Sequence, residues 1–127
     1  MAKSFQDIMA EARKEIPEAS PQQVSELLKN NGKSPVLLDV RESDEWRQGH
    51  LEGAIPLPRG FLEIKVETAI PDKNTPIVAY CAGGVRSLLA AKVMREMGYQ
   101  NVTSMAAIFS CPKSAKTARL NCCKRKS

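Results

Sequence analysis

Residues 76–87, Pro-Ile-Val-Ala-Tyr-Cys-Ala-Gly-Gly-Val-Arg-Ser, restrict the fold more than any other stretch of the chain. A short apolar run (Ile77, Val78, Ala79, Tyr80) delivers Cys81 into a glycine-containing loop. A helical pattern follows at once, with Leu88, Leu89, Ala91, Val93 and Met94 on an apolar face and Lys92, Arg95 and Glu96 off it. A buried strand that feeds a helix directly belongs to a layered α/β protein, because parallel neighbours need crossover connections.

The remaining segments fit that architecture. Residues 4–16 predict an amphipathic helix carrying Phe5, Ile8, Met9, Ala12 and Ile16 on one side, and residues 17–20 read as a break. Ser20, Pro21 and Gln23 form a helix-start signature, with a serine cap, proline in the first turn and glutamine three residues after the cap. Val24, Leu27 and Leu28 give that helix its stripe, and Asn31-Gly32 end it. Residues 36–40 suit a buried parallel strand. Ser43 to Trp46 open a further helical turn organised by Glu45 and a partly buried Trp46, and Gly49 stops it. Residues 54–57 read as a strand and 61–69 as a helix packing through Phe61, Leu62, Lys65 and Val66. Residues 77–80 form the strand before the cysteine, 87–97 a helix stopped by Gly98, and 101–105 the last strand. No internal repeat is present.

The junction after the central strand is a place for a nucleophile. A cysteine there meets backbone N–H groups that have no helical partner, together with the positive end of a helix, and both favour a thiolate. Arg86 adds a cation in the same loop. A buried cysteine at a strand end is often inert; the glycines, the arginine and the strand-loop-helix setting weigh the other way. Four residues, Ala82, Gly83, Gly84 and Val85, separate Cys81 from Arg86. A cysteine phosphatase needs a wider cradle for a tetrahedral phosphate, with its arginine at the position of Ser87 here. The tighter loop suits a smaller guest, such as the terminal sulfur of a cysteine persulfide, and the small side chains of Ala82, Gly83 and Gly84 let backbone approach it.

Four segments in order, LLDVRESDEW (37–46), GHLEGAIPLPRG (49–60), PIVAYCAGGVRS (76–87) and GYQNVTSM (98–105), resemble the rhodanese-like sulfurtransferases. The resemblance spans roughly residues 20–105. It implies a three-layer α/β/α sandwich around a mostly parallel, five-stranded sheet. It also implies thiosulfate sulfurtransferase-type chemistry, in which Cys81 accepts a sulfane sulfur from thiosulfate or a protein persulfide and passes it to cyanide or a thiol. Backbone N–H groups from Ala82 through Ser87 (Ala82, Gly83, Gly84, Val85, Arg86 and Ser87) would hold the charged outer sulfur. No metal, nucleotide or flavin is implied. Asp39 and Arg41 match the Asp-x-Arg of the family's first motif and read chiefly as a structural ion pair, with Arg41 adding to the positive field. Arg59 is an anion-binding candidate beside the site. Arg86 either draws anionic donors or pairs with a carboxylate. His50, the only histidine, is not assigned to catalysis, because an activated thiolate needs no separate base.

Charge patterning divides the chain unevenly. Residues 106–127 hold six of the nineteen basic residues and no acid, leaving thirteen basic against fourteen acidic elsewhere. Such an end is usually a solvated tail, and the scarcity of aromatics disfavours nucleic acid as a partner. The expected organisation is an N-terminal helical extension (1–19), a rhodanese-like domain (20–110) and a basic, weakly ordered tail (111–127). In that tail Ala106 and Ala107 replace the family's glycine pair, and Pro112 interrupts any covering helix, so a partly open sheet face is expected. Cys111, Cys122 and Cys123 lack zinc-site spacing; oxidation suits them better than a sulfur relay from Cys81. Charged residues interrupt the N-terminus and no apolar run has membrane-spanning length, which predicts a cytoplasmic protein without membrane contact. A non-catalytic binding module, and less readily a small cysteine phosphatase or arsenate reductase, stand as alternatives.

Overall fold

The computed structural model describes residues 2–29 and 34–105. The expectations for Asn31-Gly32, for the alanine pair and Pro112, and for the basic tail with its three cysteines lie outside the described residues. Five parallel strands form one sheet in the order β1-β5-β4-β2-β3. In chain order the elements are α1 (Phe5–Glu15), β1 (Glu18–Ala19), α2 (Pro21–Leu28), β2 (Val36–Asp39), α3 (Ser43–Gln48) and β3 (Ile55–Pro56). A 3₁₀ turn (Arg59–Phe61), α4 (Leu62–Ala69), β4 (Ile77–Tyr80), α5 (Val85–Glu96) and β5 (Val102–Met105) complete it. The sheet is therefore wholly parallel, where a mostly parallel one was expected.

β4 lies at the centre and is buried on both faces. Its period-two alternation sends Ile77 and Ala79 to one core and Val78 and Tyr80 to the other. On the first face α1, α4 and α5 pack through Met9, Ala12, Leu62, Val66, Leu88, Ala91 and Met94. On the second, α2 and the loop after α3 contribute Val24, Leu28 and Leu51 against Leu37, Val78, Tyr80 and Met105. Flanking helices on both faces make the expected α/β/α layering.

Local signals placed the helix starts well. Ser4 and Asp7 form a capping box on α1, and Ser20 and Gln23 form another on α2, with Pro21 in the first turn. Gly98, with φ 105°, ends α5 in the left-handed region that only glycine occupies readily. Residues 17–20 are not merely a break: Glu18 and Ala19 pair with Ser104 and Met105 as an edge strand, and Ser104 N–H donates to Pro17 O at 3.0 Å. Helix α5 begins two residues earlier than Ser87, because Gly84 turns the chain at φ 90° and serves as its N-cap. Leu27 lies 43% exposed, outside the buried stripe of α2. Phe61 and Lys65 are also exposed and meet each other rather than the sheet, with the ammonium 5.1 Å from the ring centroid.

Candidate active site at the end of the central strand

Cys81 follows β4 at the carboxyl edge of the sheet, where open parallel sheets place their ligands. The residue is buried, and its Sγ accepts hydrogen bonds from Gly84 N–H at 3.1 Å and Ser87 N–H at 3.3 Å. The left-handed turn at Gly84 brings both donors inward: it starts α5 at once, so Ser87 falls in the first turn, where N–H groups lack helical acceptors. Any side chain at position 84 would have to adopt a strained φ. Gly83 differs, since a Cβ there would meet nothing within 4 Å. The approach of backbone N–H to Cys81 Sγ therefore depends on the turn at Gly84. Ala82, Gly83 and Val85 are exposed and form the rim of the loop.

A hydroxyl pair lies beneath the sulfur. Ser87 Oγ accepts from Cys81 Sγ at 3.4 Å and lies 2.8 Å from Ser104 Oγ. Both serines are buried, and the Met105 carbonyl lies 3.4 Å from Ser87 Oγ. Ser104 was not among the candidate residues; its signal was a hydroxyl in register with buried Val102 on the same face of β5.

Asp39 and Arg41 form a buried network behind β4 rather than an open anion site. The Asp39 carboxylate accepts from Arg41 Nη2 at 2.8 Å, from Arg41 Nε and backbone N–H, and from Tyr80 Oη at 2.8 Å. Arg41 Nη2 also donates to Gly49 O, while Tyr80 Oη accepts from Leu51 N–H. Burial is the largest single influence on Arg41 and opposes its charge, but the hydrogen bonds it donates to Asp39 and the surrounding negative charge together outweigh burial and keep the guanidinium above its ordinary pKa. Burial, reinforced by the neighbouring carboxylate, pushes the Tyr80 phenol far up, so it stays a neutral donor.

The two other candidate arginines, Arg59 and Arg86, are paired as well. Arg59 donates to Glu63 Oε1 at 2.9 Å across one helical turn. Arg86 forms a two-point fork with Glu45 of α3, at 2.7 Å and 3.2 Å. Of the two readings for Arg86, pairing with a carboxylate is the one observed. Hydrogen bonding from Arg86 lowers the Glu45 pKa below the ordinary glutamate value, and the same bond raises that of Arg86. Glu45 also accepts the Glu42 N–H at 2.9 Å, which meets the expectation that it organises α3. His50 stacks flat on Trp46 at 3.5 Å, with Nδ1 3.0 Å from the Trp46 carbonyl oxygen. That is a structural placement. Among the described residues no cluster of three or more His, Cys, Asp or Glu is arranged to hold a metal ion, and no helix is long and apolar enough to cross a membrane.

The rhodanese-like domain model matches residues 20–107, and the chain belongs to that family. A thiosulfate sulfurtransferase of Escherichia coli, PspE, is 35% identical over 71 residues, covering 56% of this chain and 68% of the relative. A tRNA uridine(34) hydroxylase of Protochlamydia amoebophila is 37% identical over 89 residues, which are 65% of this chain but only 28% of the relative. Among solved structures, a Rhodopseudomonas palustris protein of unknown function, described as a possible tyrosine phosphatase, superposes with a TM-score of 0.79 at 26% identity. That similarity covers 94% of this chain and 96% of the other. Relatives named for thiosulfate sulfurtransfer support a rhodanese-type transferase as the class of activity.

Proposed function

We propose that this protein moves a sulfane sulfur from thiosulfate or a persulfide donor to a thiophilic acceptor through a persulfide on Cys81. The observation that carries the reading is the pair of N–H groups, from Gly84 and Ser87, aimed at Cys81 Sγ. In the first half-reaction the Cys81 thiolate attacks the outer sulfur of thiosulfate. A new S–S bond forms, the old one breaks, and sulfite leaves with the bonding electrons. The Cys81 persulfide then carries its charge on the outer sulfur, and the preorganised N–H donors of the loop, Ala82 through Ser87, stabilise it. Cyanide or a thiol next attacks that outer sulfur, and the Cys81 thiolate departs as leaving group. No net oxidation occurs across the cycle.

The loop supports sulfur over phosphorus as the transferred centre. Four residues separate Cys81 from Arg86, and Ser87 stands where a phosphatase would place its arginine. Ser87 is instead buried against Cys81 and Ser104. Within this reading residues 20–110 form the catalytic domain, and the protein works in the cytoplasm on small-molecule or protein-borne sulfur.

Incubation with thiosulfate followed by intact mass measurement tests the proposal. The expected result is a gain of one sulfur atom that cyanide removes and that Cys81→Ser lacks. A folded protein that gains no sulfur from thiosulfate or from a persulfide donor would overturn it in favour of a binding module.

A further inference from the structure

Sequence reading offers three arginines, Arg41, Arg59 and Arg86, to attract an anionic donor, and in the structure each holds a carboxylate. The three pairs are not equivalent. Arg41 and Asp39 are buried, with 5% and 1% side-chain exposure, and belong to the scaffold. Arg59 and Glu63 lie one helical turn apart and tie no two distant elements together. The Arg86–Glu45 pair joins the first turn of α5 to α3 through two residues 41 apart in sequence. Arg86 immediately precedes Ser87, whose N–H reaches the sulfur. At 34% and 31% side-chain exposure, this pair is open to displacement by a solute anion. Glu45 does not swing freely, because its Oε1 also accepts the Glu42 N–H at 2.9 Å.

We propose that Glu45 sets donor specificity by clamping Arg86 beside the Cys81 loop, so that the site disfavours small dianionic donors relative to thiol-derived persulfides. The proposal rests on the sulfur-transfer reading and refines its substrate class. A thiosulfate dianion that approaches Arg86 must either displace the Glu45 carboxylate from a charge-assisted fork or bind beside that carboxylate against like-charge repulsion. A thiol persulfide reacting as RS–SH places no dianion at that point. Cys81 attacks its outer sulfur, and RS⁻ leaves with the bonding electrons. Glu45 acts through Arg86 and touches no reacting atom, so it is a specificity-determining residue rather than a catalytic one.

Thiosulfate is titrated calorimetrically into Cys81→Ser and into Cys81→Ser/Glu45→Gln, neither of which can turn over. Glutamine keeps an oxygen for the Glu42 N–H but releases Arg86. Binding about tenfold tighter in the double variant is expected, equivalent to about 1.4 kcal/mol; equal affinity would overturn the proposal. In the Cys81 background, Glu45→Gln should raise the ratio of kcat/KM for thiosulfate over the persulfide of 2-mercaptoethanol, which carries no carboxylate, by a similar factor, and an unchanged ratio counts against it. Should Glu45→Gln not fold, Arg86→Lys tests the clamp from the other side. It keeps the charge but loses the two-point fork, so the ratio should again rise. If the wild-type protein accepts sulfur from neither donor, the sulfur-transfer reading fails, while the calorimetric comparison still decides the clamp.

Discussion

The two faces of the sheet are held by different physics. The face under α1, α4 and α5 is a broad apolar core in which Leu38, Leu62, Ile77, Leu88 and Met94 are each within 1% of full burial. The opposite face has fewer apolar residues and carries the Asp39–Arg41–Tyr80 network, which reaches the loop after α3 through Gly49 O and Leu51 N–H. Apolar packing is non-directional and graded in its response to lost volume. A buried ionic network is directional: with every partner present it is nearly neutral, and with one removed it leaves an uncompensated charge. Cys81 stands where the two regimes meet, since its strand runs between both faces.

The largest expected effect tests the network. Asp39→Ala should lower stability in urea unfolding by about 3–5 kcal/mol, because Arg41 and the Tyr80 hydroxyl both lose their buried partner. Leu88→Ala on the apolar face should cost about 2–4 kcal/mol, whereas volume-conserving Leu88→Met should cost under about 1.5. If Asp39→Ala proves milder than Leu88→Met, the contrast between the faces collapses. The smallest effect concerns pH. Glu45 is held below its ordinary pKa of 4.5, so its pair with Arg86 contributes fully above that value and fades as pH falls through the lower folded value. Acid titration of stability should therefore fall less steeply for Glu45→Gln than for wild type below about pH 4.5. Parallel curves would show that this rim pair, unlike the buried one, adds nothing to the fold.

Much of the fold was legible because its signals are short-ranged. The capping boxes close between residues three apart, at Ser4–Asp7 and Ser20–Gln23. The strand-loop-helix unit around Cys81 announces itself through consecutive residues. Where reading failed, a partner lay far along the chain. The edge strand at Glu18–Ala19 has no pattern of its own and exists because β5 offers an unpaired edge. Leu27 and Phe61 carry the apolar chemistry of buried residues, yet among the described residues both stay exposed.

The candidate site divides the same way. The sequence by itself determined the cysteine at the end of the central strand, the loop length, the glycine turn and the helix that follows, because these depend on bond geometry and on hydrogen bonds a few residues apart. Only the tertiary structure decided which carboxylate each arginine meets, that Tyr80 bridges Asp39 to the backbone at Leu51, and that Ser104 lies against Ser87. The reason is reach. A backbone N–H finds its acceptor within a turn, whereas a guanidinium or a hydroxyl is placed by how whole helices and strands dock.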